Sequence, residues 1–322
     1  MNPTFRALVA LAFLGTSTSA AVLQNDAIVE GKTIGEWSAE WWKWLLPIST
    51  NNNPMLDTTG AFAGIDQPGG SVFFLGYGLG LVSPPVVRRL TVTEDKYLFF
   101  PIETFENDNV DHCPPCFSID ELRQEAANVV SSATGLHAQI DGIEITNILE
   151  HRAISPVFNL FYTNADNIHS YAFKHPVSGL IDPMIVDGYW LMVEPLSPGD
   201  HVVQFGGRLP GFFFPVEVID YITVQPLALP NRVEQLIATL NDSNLPAKWL
   251  PSLLGSLKAT RASFEAENLR AGINQLHAFQ YKLRAQVTRG NQGTADELIA
   301  AAQLIIDKAM GQLDAGADVS RL

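Results

Sequence analysis

The sequence predicts an α+β chain of two domains: an acidic antiparallel β-sandwich or jelly-roll-like domain with a few helices, then a small four-helix bundle. Three observations predict it. Apolar residues come in short runs bounded by turn residues up to about residue 225, and recur at helical spacing after residue 230. Charge divides at the same place: residues 21–226 hold 25 acidic and nine basic side chains, whereas 227–322 hold nine acidic and ten basic. The join, Val224-Gln225-Pro226-Leu227-Ala228-Leu229-Pro230, carries two prolines and no charge, which reads as a short extended linker.

The first element is a secretory signal over residues 1–21. Arg6 supplies the basic start, Ala7 to Leu14 the short apolar run, and Gly15 to Ala21 the small residues where cleavage follows Ala20 or Ala21. That run is far below the ~20 residues that span a bilayer. The mature chain is expected to be exported (periplasmic, cell-surface or extracellular), with no transmembrane helix, in a compartment that tolerates disulfides.

Residues 22–226 form the acidic domain. A helix carries Trp37, Trp41 and Trp44 within about 60° of one another, with Lys43 opposite and Trp42 pointing elsewhere. Stacked indoles suit the C–H faces of sugars, but they equally suit a helix docked on a sheet, and docking is the expectation. Strands follow at Ser71 to Tyr77, Leu90 to Thr93, Tyr97 to Ile102, Phe158 to Thr163, Tyr189 to Glu194, His201 to Phe205 and Phe214 to Val224, all rich in β-branched and aromatic residues. Asp141-Gly142 suits a two-residue hairpin whose turn positions both need positive φ. Ser118 with Glu121 makes a capping box that starts a helix running to about Ser131.

Residues 230–322 change period. Val233, Leu236, Ile237 and Leu240 make one stripe, with Asn231 as cap. Leu250, Leu253, Leu254 and Leu257 make a second. Ile273, Leu276, Phe279 and Leu283 make a third behind Asn268, and Leu298, Ala301, Ala302, Ile305 and Ile306 a fourth behind a Thr294/Glu297 capping box.

Two resemblances attach to these segments. Asn244-Leu245-Pro246, Ser252-Leu253-Leu254, Ala271-Gly272-Ile273-Asn274-Gln275-Leu276 and Ala301-Ala302-Gln303-Leu304-Ile305-Ile306-Asp307 resemble the FIMAH-type helical module of secreted bacterial enzymes and surface proteins. That module is accessory, so the resemblance implies no chemistry. Gly31-Lys32-Thr33-Ile34-Gly35-Glu36-Trp37, Trp41-Trp42-Lys43-Trp44, Asn53-Pro54, Leu98-Phe99-Phe100-Pro101-Ile102, Asp187-Gly188-Tyr189-Trp190 and Pro198-Gly199-Asp200-His201 resemble a family of exported bacterial and archaeal proteins with a W-x3-WW-x-W segment. It implies a fold and no catalytic residue.

Composition removes several functions. A formal net charge of −14 argues against nucleic acid held by the overall field. Two cysteines exclude a four-cysteine zinc site. No G-x-S-x-G elbow appears, and no histidine pair shows H-x-H or H-E-x-x-H spacing. The candidate ligand-binding residues are Glu103, Glu106, Asp108, Asp111 and His112. Carboxylates on one segment could hold Ca²⁺, yet the calcium-loop pattern fails at Val110 and lacks its glycine, so a solvated acidic loop without a cofactor is expected. Cys113 and Cys116, in Cys-Pro-Pro-Cys, are expected to form a short structural disulfide. The function these readings favour is non-catalytic binding or adhesion at the cell surface or in the extracellular matrix, towards an extracellular ligand for which a glycan is one class. The alternative is a secreted enzyme, a hydrolase or lyase, acting on polysaccharide through paired carboxylates.

Overall fold

The computed structural model describes residues 21–78, 83–211, 214–286 and 291–319. The expected secretory signal therefore lies outside the described residues, apart from Ala21. Among the described residues the chain is mixed α+β, with seven α-helices and three sheets. Its described residues divide into two compact units, with the boundary between Gln225 and Pro226. No described helix is long and apolar enough to cross a membrane.

The first unit opens with a two-stranded ribbon, β1 (Ile28–Val29) and β2 (Lys32–Thr33), leading into α1 (Ile34–Leu45). Thr33 caps α1 in a reciprocal box: its hydroxyl accepts from the Glu36 amide, and Glu36 accepts from the Thr33 amide at 2.8 Å. The elements that follow are β3 (Val72–Phe74), β4 (Val86–Thr93), β5 (Tyr97–Asn107), α2 (Ile119–Ser131), β6 (Thr134–Ile140), β7 (Ile143–Glu144), β8 (Arg152–Ile154), β9 (Phe158–Tyr162), α3 (Ile168–Phe173), β10 (Gly179–Val193), β11 (Gly199–Arg208) and β12 (Val216–Gln225). One sheet runs β3-β5-β10-β8 with β9 also on β10, and the other runs β4-β12-β11-β6-β7.

Not every pairing is antiparallel. The β3/β5 and β4/β12 pairs are parallel. Both join strands whose connection is not a tight turn, and tight turns are what the sequence signals. At Asp141-Gly142 the local signal works: φ is 52° and 79°, and the dipeptide joins β6 to β7. Ser118 and Glu121 likewise form the capping box of α2.

The core lies in layers. Phe100 of β5 meets Phe205 of β11 at 4.5 Å between ring centroids, so one face of the first sheet packs on the second sheet. Phe99, the next residue, stacks on Trp190 at 5.2 Å, and Trp190 meets Trp41 of α1 at 5.6 Å. The opposite face therefore receives α1. A strand covered on both faces reads as a continuous apolar run rather than an alternation, as Leu98 to Ile102 does. Each tryptophan of α1 is buried with its indole N–H satisfied: Trp37 on Val29 O, Trp41 on Leu75 O, Trp44 on Ile65 O and Trp42 on Thr104 Oγ1. Trp42 does not point away from the core; with sheet and loops around it, α1 has little outer face.

The second unit holds α4 (Leu229–Asn241), α5 (Leu250–Glu265), α6 (Leu269–Gln286) and α7 (Gln292–Val319). Each packs on the next, and α7 returns to α4. Val233, Leu240, Leu253, Leu257, Leu276, Phe279, Leu298 and Ile306 build their shared core. Two start signals differ from expectation. Asn231 does not cap α4, which begins at Leu229 behind Ala228; Pro230 needs no amide partner in a first turn, so the helix starts before it. Thr294 lies inside α7, which starts two residues earlier. Asn268 does cap α6, accepting from the Ala271 amide.

Candidate functional site

A bulge on β5 builds the site. Glu103 pairs with Tyr189 and Pro101 with Trp190, so Ile102 is an extra residue without a partner on β10. Side chains alternate across a strand, and one extra residue reverses which parity faces which side. Before the bulge the odd residue Phe99 faces the α1 side; after it, the even residue Thr104 meets Trp42 of α1. Thr104, Glu106 and Asp108 are thereby turned towards one cavity of about 460 Å³, walled also by Trp42, Phe105, Ile168 and Phe173.

Four of the five candidate residues line that cavity: Glu106, Asp108, Asp111 and His112. Glu103 does not. It is buried behind the wall, accepting from the Tyr77 hydroxyl, with its side chain against Gly207. Nor is the segment a solvated loop, because Glu103, Glu106 and Asp108 are buried and only Asp111 is exposed. Three of the five belong to β5 or the turn directly after it, where the layers on either side exclude water. His112 stacks on Phe117 at 4.2 Å and pairs with Glu125 at 3.2 Å. Cys113 and Cys116 lie at disulfide distance just beyond, with Cα atoms 4.2 Å apart.

The residue missing from the sequence-derived set is His169. Asn167 caps α3 by accepting from the Ser170 amide, and its own amide group bonds to Asn164 O and Val177 O, which fixes the turn. His169 Nε2 then stands 3.0 Å from Glu106, and Nδ1 3.1 Å from the Tyr162 hydroxyl and 3.6 Å from Asp108. The neighbouring His175 pairs with Asp111 at 2.9 Å. Two histidines six residues apart thus both meet the acidic segment, from a separation of more than 60 residues.

Burial pushes Glu106 above the usual carboxylate range, against the hydrogen bond and charge of His169. Burial likewise raises Asp108. For His169 burial opposes the charged form, but the Glu106 hydrogen bond and the charges of Glu106, Asp108 and Asp111 outweigh it and hold the imidazole above its ordinary value. Near neutral pH these three groups together therefore retain protons that exposed groups would have shed. His201, at the start of a predicted strand, is engaged elsewhere, between Asp141 at 2.7 Å and Ser197 O at 2.8 Å.

No family model and no curated protein matches the chain. Among solved structures it is similar to "Structure of PbICP-C in complex with falcipain-2", at 11% identity and a TM-score of 0.20, over 48% of this chain and 100% of that one. A likeness at that level carries no statement about fold or function.

Proposed function

We propose that this is an exported, non-catalytic binding protein of the cell surface or extracellular matrix, and that its ligand enters the cavity between β5, α1 and α3. In this reading the two large sheets form a β-sandwich, and residues 230–322 form a four-helix accessory module of the FIMAH type. The Phe100–Phe205 contact and the shared core of α4 to α7 support that architecture. One observation carries the function. Aromatic and aliphatic side chains line the cavity, and Glu106, Asp108 and His169 converge within it, which is the make-up of a small-molecule site.

The test is uptake of a neutral solvatochromic dye such as Nile red. Wild-type protein should bind it, and Ala172→Phe, which fills the cavity from α3, should abolish binding without shifting the unfolding midpoint. Equal binding by both would end this reading.

The second reading, a secreted polysaccharide-cleaving enzyme, has one favourable observation: Glu106 and Asp108 offer carboxylate oxygens within 4.8 Å of each other. Retaining glycosidases hold theirs ~5–5.5 Å apart. Against it, Trp42 beside the cavity is 5% exposed and cannot stack on a sugar chain, and Trp37, Trp41 and Trp44 are buried too. Reducing-end release from polysaccharide that is lost in Glu106→Gln would favour the enzyme.

A further inference from the structure

Glu106, Asp108 and His169 present ligand atoms within 4.8 Å of one another. Their side chains are only 6%, 4% and 5% exposed. Each carboxylate has one oxygen in use: Glu106 Oε2 meets His169 Nε2, and Asp108 Oδ1 accepts from the Val110 amide at 2.7 Å. The other oxygen of each, Glu106 Oε1 and Asp108 Oδ2, is buried without a hydrogen-bond partner. At 3.6 Å the His169 Nδ1 lies beyond hydrogen-bond length from Asp108 Oδ2. Leaving such oxygens unmatched in a dry wall is costly, and proteins match them with donors or cations. No lysine or arginine stands among the described residues lining this cavity, whereas Asp111 and Glu125 add two further carboxylates.

We propose that Glu106, Asp108 and His169 bind a divalent first-row transition-metal ion, of the Zn²⁺ type, where they converge in the cavity wall. The donor set selects the class. Calcium asks for six to eight oxygens, whereas one imidazole with two carboxylates suits zinc and its neighbours. Three protein ligands leave coordination positions for an incoming group, the pattern of a metal that meets a ligand instead of only pinning a fold. The Tyr162 hydroxyl, 3.1 Å from Nδ1, holds the ring so that Nε2 stays turned towards Glu106. The inference rests on reading the cavity as a binding site and names the ion that site holds.

Protein stripped with a chelator and dialysed is titrated with ZnCl₂ and, separately, CaCl₂ by calorimetry. One zinc per chain is expected, with calcium at least about 100-fold weaker. Glu106→Gln and Asp108→Asn, each nearly isosteric, should lower zinc affinity by at least ~10–100-fold, the loss seen even for residues behind the ligands. Glu103→Gln, a buried carboxylate outside the cluster, should leave it unchanged. Anomalous scattering at the zinc edge from a soaked crystal should place the ion among the three side chains, and decides the matter if the variants do not fold. Absent stoichiometric binding, calcium bound as tightly, undiminished affinity in both isosteric variants, or an anomalous peak elsewhere would each overturn the proposal. Dye uptake without zinc binding sinks the metal and leaves the cavity reading; zinc binding without dye uptake does the reverse.

Discussion

Tyr77 donates its phenolic proton to Glu103 Oε2 at 2.5 Å, while Glu103 Oε1 has no hydrogen-bond partner. Burial pushes this carboxyl up to about 7 from an ordinary 4.5, with the Tyr77 hydrogen bond pulling weakly the other way. The folded state thus keeps a proton that the unfolded state releases. Folding stability should be unaffected by this group below pH 4.5, fall as pH rises from there to 7, and be flat above it. The size is about 3 kcal/mol. Urea unfolding of wild type and Glu103→Gln at pH 4.5 and pH 8 measures it: the wild type should lose about that much relative to the variant. Parallel pH profiles would contradict the assignment.

Trp41 is fully buried and meets Trp42, Trp44, Tyr77 and Trp190 edge-on. Trp41→Ala should lower stability by ~3–5 kcal/mol through lost transfer energy and a cavity. An unchanged denaturation midpoint would contradict the anchoring role of α1.

Arg88 and Asp220 form a two-point ion pair at 2.7 and 2.8 Å inside the first unit, with side chains 3% and 0% exposed. Arg88 also donates to Gly76 O. Arg88→Met alone should cost ~3–5 kcal/mol, because Asp220 is left buried without its partner, whereas Arg88→Met with Asp220→Leu should recover most of that loss. Chemical denaturation of the three proteins gives the coupling directly. Equal losses in single and double variants would show that the cost lies in packing around Gly76.

Residues 230–313 should fold alone. Their core draws on all four helices, and the buried Gln280 amide joins two of them, donating to Ile299 O at 3.0 Å and to Gln303. A purified fragment should show one cooperative thermal transition by circular dichroism; a gradual, non-cooperative loss of signal would refute it.

Cys113 and Cys116 are exposed and three positions apart. Alkylation mass spectrometry of protein folded under oxidising conditions should find no free thiol. Replacing both by Ser should shift stability only at the low end of ~0–5 kcal/mol, because the loop closed is very short.

What the sequence discloses follows how local each signal is. The α2 start is readable because Ser118 and Glu121 are neighbours that cap each other, and the helical stripes of α4 to α7 because a period needs no partner to be seen. Three of the four cavity residues on the acidic segment are legible for a weaker reason: carboxylates in a row draw attention whatever surrounds them. The burial of Glu106 and Asp108 is not legible, since it depends on α1 and α3, contributed by distant residues. His169 escapes for the same reason: its partner Glu106 lies 63 residues away, and no spacing rule connects them. The parallel β3/β5 and β4/β12 pairs likewise leave no local mark.

The extra residue at Ile102 makes the site a matter of reading frame. Deleting Ile102 would leave every carboxylate and histidine in the chain, yet β5 beyond it would register on β10 with its parity exchanged. Thr104 and Glu106 would turn away from Trp42 and His169, with Glu106 facing the α2 side that Asn107 faces now. A homologue's identity at these acidic positions is therefore informative only together with its strand length: two chains can share each polar residue of the segment and differ in whether they possess the pocket at all.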